Sequence, residues 1–395
     1  MAKQSSKAAS GLTRFGYPIT EEQNFIYESM ERFGRERLLP GAAERDQTHT
    51  FPKELINELA ALGGMAMKTS IEDDGPGMDT TAYALSVQAI SKYDASVAVV
   101  MVASNLAANI LAQNANDEQR ERFVRPVARG ERGALSFALT EPTAGSDASA
   151  IRTRAVSDGD SFVLNGAKQW ITGASNAEVF VIFTQTGENG EDGVSCFIVE
   201  AGTPGFSLGR IEDKMGLRSS GTAQLFFEDC RVSRENLVGE VGRGYRLAIG
   251  ALAPSRVAIA AQSIGIAERA LELGQAYAGE RQIFGQSVSD FQINRHALGD
   301  ARTELDMAWL LMLRGAQLLD QGYRVSAEAS MAKLASSEIC GRIVDRMLQL
   351  HGGNGYSREY EIERLYRDAR VMRIYEGTSE VQREIISNWV LTEGG

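Results

Sequence analysis

The chain has 395 residues, of which 43% are hydrophobic and 24% are charged, so it can bury the cores of two or three globular domains. Its formal net charge of −11 argues against a nucleic-acid-binding surface, which requires a basic face. Cys196, Cys230 and Cys340 do not have the spacing of metal ligands, so we interpret them as reduced thiols of a cytoplasmic protein without a metal site.

The N-terminal region contains no segment that we expect to enter a membrane. Residues 1–16 are small and polar, lack the apolar segment of a signal peptide, and are predicted to be a flexible tail. The apolar run from Val97 to Leu111 is interrupted by polar residues and falls short of a membrane span. We therefore expect neither a membrane nor a nucleic acid as a partner.

Residues 17–130 are predicted to form an N-terminal helical domain. Thr20 and Gln23 have the spacing of a capping box, and apolar residues then recur at helical intervals. After a loop rich in turn-forming residues, a single long apolar helix is predicted from Thr81 to Gln113.

Residues 131–241 change to the pattern of β-strands. Short runs rich in β-branched and aromatic residues alternate with turn residues, which predicts an antiparallel sheet domain or a small barrel. These runs are Leu135 to Leu139, Arg152 to Val156, Ser161 to Leu164, Val179 to Thr184, Val194 to Val199, Phe206 to Ile211 and Gln224 to Phe227.

Residues 242–395 return to the helical pattern and are predicted to form a C-terminal four-helix bundle. The predicted helices are one that begins near Ile259, followed by Leu298 to Leu319, Ser326 to Leu350 and Glu380 to Leu391. The fold class expected from this order is α+β, with a central sheet domain between two helical domains.

Two segments of the sheet domain have residues suited to a flat aromatic ligand. The segment from Phe137 to Asp147 ends a strand and enters a loop of small residues, in which Thr140 and Ser146 offer hydroxyl groups. In the second segment, Trp170 ends a strand and is followed by Ile171 and Thr172. Taken alone, the first could be a polar β-loop and the second a half-buried tryptophan on a sheet.

Glu376 is the candidate catalytic residue. It follows a tyrosine and directly precedes Gly377, so a ligand can approach the backbone closely at this turn. A carboxylate buried against apolar groups has a raised pKa and is a better base at neutral pH. Taken alone, a Glu-Gly pair is more often an exposed turn.

Together, the segments Ile374–Glu380, Phe137–Asp147 and Trp170–Ala174 resemble the acyl-CoA dehydrogenase family, and the resemblance covers nearly the whole chain from about residue 17. It implies a FAD-dependent member with a short or branched acyl substrate. Glu376 would take the pro-R α-hydrogen of an acyl-CoA as a proton, and flavin N5 would receive the β-hydrogen as hydride. The chain has no Gly-x-Gly-x-x-Gly or Walker motif, so FAD would not be bound in the Rossmann manner.

The resemblance also assigns the other site residues. The residues implied to contact FAD are Phe137, Leu139, Thr140, Gly145, Ser146, Trp170, Ile171, Thr172, Thr378 and Glu380, together with Arg281, Phe284, Gln292, Gln349, Gly352 and Gly353, which would reach FAD in a neighbouring subunit. The residues implied to contact the substrate are Ser146, Arg256, Tyr375 and Gly377. His351 is a weaker acid–base candidate, because a glycine turn more often uses histidine for packing.

The implied partners are acyl-CoA, an electron-transfer flavoprotein and further copies of the chain, as a homotetramer built from two dimers. Two departures from the family pattern leave alternatives open. Family members often carry an acid where this chain has Ala253, and Pro254 should kink or interrupt the helix beside the pocket. The acyl group could therefore be carried by a carrier protein instead of CoA. A separate alternative is a flavin-binding scaffold without activity, because a fold alone does not determine a function.

Overall fold

A computed structural model of the protein describes residue 17, residues 19–187 and residues 191–393. The flexible tail predicted for residues 1–16 lies outside the described residues.

The α-helices fall into an N-terminal and a C-terminal group, separated by the sheet. The N-terminal helices are α1 (Glu21–Phe33), α2 (Ala42–Thr48), α3 (Lys53–Ala61), α4 (Thr80–Ser91), α5 (Ala95–Asn114), α6 (Asp117–Gln119) and α7 (Arg125–Ala128). The C-terminal helices are α8 (Gly244–Gly250), α9 (Leu252–Glu280), α10 (Gln292–Asp320), α11 (Ser326–Leu350), α12 (Glu361–Ala369) and α13 (Ser379–Glu393). The α+β class and the helix–sheet–helix order predicted from the sequence are confirmed.

The strands form one large sheet and a small hairpin. The sheet strands are β1 (Ser136–Ala138), β2 (Arg154–Asp158), β3 (Ser161–Ile171), β4 (Val179–Gln185), β5 (Val194–Glu200), β6 (Phe206–Ile211), β7 (Ala223–Ser233) and β8 (Leu237–Val238). The hairpin pairs β9 (Gln282–Ile283) with β10 (Gln286–Ser287).

The sheet is mixed rather than purely antiparallel. Its order is β6-β7-β3-β2-β4-β5-β8, and β1 pairs with β4 in parallel. This pairing arises because the chain leaves β1 through a long loop and returns to the sheet through β2 and β3 before β4 forms. The parallel pair therefore sets β1, with the loop that follows it, beside the middle of the sheet.

The long helix predicted from Thr81 to Gln113 is in fact two helices. The Asp94 carboxylate accepts hydrogen bonds from the amides of Ser96 and Val97 at 3.0 and 3.1 Å, so Asp94 is the N-cap of α5. Both helices are buried along most of their length, which explains why their apolar residues show no periodicity that would mark the break.

Two helical stretches, Ala95–Asn114 and Gly244–Glu280, are long and apolar enough to cross a bilayer by length and composition alone. The expectation that the first is too short was therefore wrong. Most of each apolar stretch is buried within the fold, so packing in the protein core accounts for its composition.

The C-terminal helices α9, α10 and α11 pack side by side, with α13 against α11 and α4 of the N-terminal group against α9. Pro254 lies in the first turn of α9, where a proline needs no amide donor, and α9 continues through it to Glu280. The helix break that we expected at Pro254 instead lies at Ala251, between α8 and α9.

Candidate active site

Glu376 lies in a tight turn of left-handed backbone. Its φ angle is +55°, and that of Gly377 is +89°. A non-glycine residue in this region is strained and persists only where its surroundings hold it. Two side chains do so here: the Gln382 amide donates to the carbonyls of Glu376 and Gly377 at 3.1 and 3.0 Å, and the Lys333 ammonium donates to the Gly377 carbonyl at 2.7 Å.

The Glu376 carboxyl is held by α9. The Ser255 hydroxyl donates a hydrogen bond to its Oε2 at 3.0 Å. Burial raises the pKa of the Glu376 carboxyl, while the Ser255 bond and the positive charges of Arg256 and Lys333 partly oppose that rise. The net direction is upward, so the carboxylate is a stronger base than an exposed one.

Two buried cations stand near this carboxyl. Burial lowers the pKa of Lys333 to about 8, although the Glu376 charge opposes the shift, and the side chain is fully buried. Burial likewise lowers the pKa of Arg256, and its Nε has no hydrogen-bond partner among the described residues. The phenol of Tyr83 on α4 also has a raised pKa, because of burial first and the Glu376 charge second.

The two sheet segments that were expected to bind flavin lie side by side. The Ser136 hydroxyl donates to the Thr172 carbonyl at 2.8 Å, and the Gln169 amide donates to the Thr140 carbonyl at 2.9 Å. A buried ion pair joins the segments from behind: the Lys168 ammonium lies 2.7 Å from Glu141 Oε1 and donates to the Leu139 carbonyl at 3.1 Å.

Trp170 lies at an irregular point near the end of β3. The β3–β7 register shifts between Lys168 and Ile171, and Trp170 has a φ of +61°. Bulges of this kind turn a side chain away from its regular direction. The Trp170 ring is consequently 53% exposed, a large apolar face that the protein itself does not cover.

The remaining residues of the sheet domain that were expected to contact flavin differ in which groups they expose to a ligand. Thr140 and Thr172 are partly exposed and Ser146 is exposed, and their hydroxyls make no hydrogen bond within the described parts of the chain. Leu139 and Ile171 are buried in the hydrophobic core, so their side chains are not exposed to a ligand. Gly145 has no neighbouring atom where a Cβ would stand, and Phe137 packs on Phe183 with ring centroids 5.3 Å apart.

Thr378 and Glu380 stand at the start of α13, next to the Glu376 turn. The Thr378 hydroxyl accepts a hydrogen bond from the Val381 amide at 3.3 Å, and Glu380 is exposed. The Tyr375 hydroxyl donates a hydrogen bond to Gln262 Oε1 of α9 at 2.6 Å.

A second group of expected flavin residues lies at the opposite end of the C-terminal bundle. By the rise of an α-helix, Arg281 is about 40 Å from Ser255 along α9, and Gln349 is about 24 Å from Lys333 along α11. The members of this group, all exposed, are Arg281, Phe284, Gln292, Gln349, Gly352 and Gly353. The chain therefore does not bring these residues to its own Glu376.

His351 belongs to the packing of that far end. Its ring stacks on Tyr277 with centroids 4.3 Å apart, its Nδ1 lies 2.6 Å from the Met347 carbonyl, and burial lowers its pKa. It is only 5% exposed, and no carboxylate contacts it among the described residues. We therefore give it no catalytic role.

Three family models match the chain in sequence. The "Acyl-CoA dehydrogenase, N-terminal domain" model matches residues 20–131, the middle-domain model matches residues 136–230, and the C-terminal-domain model matches residues 242–391. The chain belongs to the acyl-CoA dehydrogenase family. It is accordingly an oxidoreductase, and members of the family depend on flavin.

A curated relative and two solved structures illustrate its place within the acyl-CoA dehydrogenases. "Acyl-CoA dehydrogenase, short-chain specific" of Clostridium acetobutylicum is 38% identical over 374 residues, which are 94% of this chain and 98% of the relative. Butyryl-CoA dehydrogenase of Megasphaera elsdenii is 36% identical with a TM-score of 0.93, covering 95% of this chain and 99% of that one. A chain from structural work on the electron transferring flavoprotein of Acidaminococcus fermentans is 38% identical with the same TM-score, and the match covers 95% of this chain and 99% of that one.

The residues of this acyl-CoA dehydrogenase fit a flavin site. An exposed tryptophan face, unpaired hydroxyls in the adjoining loop and an open backbone at Gly145 are what a flat ring with polar edges requires. Near the Glu376 turn, the hydroxyl of Ser379 is buried without a partner among the described residues, as is Arg256 Nε. Such orphaned polar atoms are expected where a ligand or ordered water completes the hydrogen bonding.

The sequence interpretation missed the residues that support this site from behind. Lys333, Gln382, Lys168 and Glu141 are each at most 5% exposed and make the hydrogen bonds described above. One signal pointed to Lys333: it occupies a face of α11 otherwise made of small residues, with Ser330 one turn before and Ser337 one turn after. A lysine on such a face is buried, so its ammonium requires hydrogen-bond acceptors inside the fold.

Proposed function

We propose that this protein oxidises a short-chain acyl-CoA to the trans-2-enoyl-CoA with FAD as cofactor, and that Glu376 is the catalytic base. The supporting observation is the Glu376 turn, in which a carboxyl of raised pKa is fixed by Ser255, Lys333 and Gln382. The short-chain assignment follows from the similarity to the short-chain-specific relative and to butyryl-CoA dehydrogenase.

In the proposed reaction the Glu376 carboxylate takes the α-proton and becomes a neutral acid. A flavin held beside this turn would supply the acceptor, at its N5, for the β-hydrogen and the electron pair of the broken C–H bond. The Cα–Cβ double bond then replaces the two broken C–H bonds. The Glu376 amide makes no backbone hydrogen bond in the described chain, so it can donate to the thioester carbonyl as charge develops on that oxygen.

The other chain residues position the two ligands. Phe137, Thr140, Trp170 and Thr172 would border the flavin ring, and Thr378 and Glu380 would face the adenine or ribitol part of FAD. Ser146, Arg256, Tyr375 and Gly377 would line the acyl-CoA path; Arg256 is 93% buried beside the base and can offer its unpaired Nε to substrate oxygen.

The proposal includes a homotetramer of two dimers. In it, the second group of flavin residues, from Arg281 to Gly353, completes the flavin site of a neighbouring subunit. Exposure of that group, about 40 Å along α9 from the base, supports this arrangement. An electron-transfer flavoprotein is the proposed electron acceptor, which agrees with the similarity to the chain from the Acidaminococcus fermentans work. We place the protein in the cytoplasm.

The test is anaerobic reduction of the bound flavin by butyryl-CoA, followed as loss of the visible flavin absorbance. Glu376→Gln should retain FAD and show no reduction, because an amide cannot accept the α-proton. Glu384→Gln, an exposed glutamate on α13, is the control and should behave as wild type. Full reduction in Glu376→Gln would exclude the proposed base.

The absence of an acid at Ala253 favours one second candidate, in which the same acyl group is carried on a carrier protein. Comparing turnover of butyryl-CoA and butyryl-carrier protein decides between them, and a strong preference for CoA would end the alternative. Failure to reduce flavin with any thioester of graded length would instead indicate a flavin-binding scaffold.

A further inference from the structure

We infer that Lys333 is a positioning residue for the base: with Gln382 it holds the left-handed Glu376–Gly377 turn in its reactive form, and its positive charge favours the charged form of the neighbouring carboxyl. The inference rests on the proposed role of Glu376. Nothing in the sequence motifs assigned a function to either residue.

The first support is the convergence of donors on one strained segment. The Lys333 ammonium and the Gln382 amide donate to the same Gly377 carbonyl, at 2.7 and 3.0 Å, and the Gln382 amide also reaches the Glu376 carbonyl at 3.1 Å. Consecutive carbonyls of a left-handed turn cannot be satisfied by a regular helix, so these side chains take the place of helix hydrogen bonds.

The second support is burial. Lys333 and Gln382 are fully buried, and a Cβ at Gly377 would lie 2.5 Å from Gln382 Nε2. Burying an unpaired ammonium costs free energy of folding, so a lysine retained at this buried position indicates a specific role. No salt bridge within 4 Å involves Lys333 in the described chain. Its charge therefore acts on the Glu376 carboxyl at longer range than a salt bridge.

The third support is the set of charges around Lys333. Glu376 on the turn and Glu380 on α13 favour its charged form, while Arg256 on α9 and burial oppose it. In return, its charge stabilises ionised Glu376. Neutral Lys333 would still donate to Gly377, so the hydrogen bond and the charge can be separated by substitution.

Two substitutions separate these roles. Lys333→Met removes the donor and the charge, whereas Lys333→Gln removes the charge and keeps a donor. Both should move the acidic limb of the pH profile of flavin reduction to higher pH, because the pKa of Glu376 rises without the cation. Only Lys333→Met should also lower the rate on the high-pH plateau, by about 10- to 100-fold with little change in KM, because the base is misplaced.

Lys92→Met is the matched control for loss of a buried ammonium. Lys92 is 6% exposed and pairs with Glu31, Glu268 and Glu272. The last two lie on α9, far along that helix from Ser255 and the Glu376 turn. Lys92→Met should lower the melting temperature and leave the pH limb and plateau of the reduction unchanged. A wild-type limb and plateau in Lys333→Met would overturn the inference, whatever its effect on stability.

Two further measurements test the role of Lys333 without relying on Lys333→Met or on turnover. If Lys333→Met does not fold, Lys333→Gln and Gln382→Met decide, and a wild-type pH limb in the first with a wild-type plateau in the second would overturn it. Infrared titration of the Glu376 carboxyl, assigned by difference against Glu376→Gln, measures its pKa without turnover. An unshifted pKa in Lys333→Gln contradicts the electrostatic role, whereas absence of flavin reduction in wild type contradicts only the proposed function.

Discussion

The Ser255 hydroxyl donates a hydrogen bond to the Glu376 carboxylate at 3.0 Å, across 121 residues of chain. Ser255 stands in the first turn of α9, which begins directly after the break at Ala251. The bond stabilises the charged form of the carboxylate and so opposes the effect of burial on its pKa. A polar residue of α9 thus adjusts how much of the base is ionised at neutral pH.

Ser255→Ala should therefore weaken flavin reduction on the acidic side. Without the bond the pKa of Glu376 rises further, more of the carboxyl is protonated at neutral pH, and the acidic limb moves to higher pH. The rate at neutral pH should fall about tenfold or less, since such a bond contributes on the order of 1 kcal/mol. At high pH the rate should approach that of wild type.

Ser263→Ala is the control on the same helix. Ser263 is buried and donates only to the Ile259 carbonyl of its own helix at 2.8 Å. Its pH profile should match wild type, measured by stopped-flow reduction between pH 6 and about 9. If the two alanine variants have the same profile, the Ser255 bond does not tune the base.

Lys168→Met should destabilise the flavin segments. The change leaves Glu141 buried without its cation and frees the Leu139 carbonyl, and breaking one side of a buried ion pair costs about 3–5 kcal/mol. Urea unfolding of the FAD-free protein measures this loss, and FAD titration should show weaker binding. Lys168→Met/Glu141→Gln should recover part of the stability, because no buried charge then stands alone.

Lys53→Met is the matched surface substitution, since Lys53 is exposed at the start of α3. It should change the free energy of unfolding by less than about 0.5 kcal/mol. Equal stability of Lys53→Met and Lys168→Met would show that the ion pair behind the flavin segments contributes nothing.

The element order could be predicted from the sequence because each domain has its own hydrophobic period. Where every face of an element is buried, that period disappears. The apolar residues of α4 and α5 therefore merged into one predicted helix, and only the Asp94 cap marks their separation. Helix α12 was missed because it is only nine residues long and its buried apolar residues stand among charged ones such as Arg367, which pairs with Asp46.

For the site, the sequence indicated residues that face a ligand and missed those that hold them. Glu376, Trp170 and Phe284 all have positive φ, a strain that residue identity alone does not reveal. Lys333 becomes meaningful only when α11 is packed against the turn 44 residues later in the chain. Such long-range pairs depend on tertiary packing, which local patterns do not encode.

Phe284→Asn should separate folding from assembly. Phe284 and Gly285 form the two-residue loop of the β9–β10 hairpin with φ of +51° and +80°, and Phe284 is 95% exposed. Asparagine followed by glycine suits such a loop better than phenylalanine does, so the melting temperature of the FAD-free subunit should not fall. FAD content and oligomer mass should fall, because the ring is proposed to act in a neighbouring subunit.

Phe25→Asn is the comparison for Phe284→Asn, since Phe25 is an exposed phenylalanine of α1. It should leave the FAD content and the mass measured by light scattering unchanged. Full FAD content and an unchanged mass in Phe284→Asn would contradict the proposed role of the hairpin.

Asp368→Asn should remove a pH dependence of stability. Asp368 of α12 is 4% exposed and accepts a hydrogen bond from the Leu217 amide at 2.6 Å, joining the loop before β7 to the helix that leads to the Glu376 turn. Burial raises the pKa of its carboxyl to about 7, although the Leu217 bond and the charges of Arg364 and Arg367 oppose the rise.

Because the pKa of Asp368 is raised, the direction in which its contribution to stability changes with pH is fixed. Between about pH 4 and 7 the folded protein holds a proton that the unfolded chain has lost, so this group's contribution to stability falls as pH rises, by about 1.4 kcal/mol per pH unit. Asparagine is neutral throughout and can accept the same bond. The stability of Asp368→Asn relative to wild type should therefore increase with pH across this window, and the variant should be the more stable protein above pH 7.

Urea midpoints at pH 5, 6, 7 and 8, at fixed protein and FAD concentration, measure this difference. Asp345→Asn, an exposed aspartate of α11, should follow wild type at every pH. If wild type and Asp368→Asn instead keep a constant separation from pH 5 to 8, Asp368 is ionised in the fold. The two arginines would then outweigh its burial.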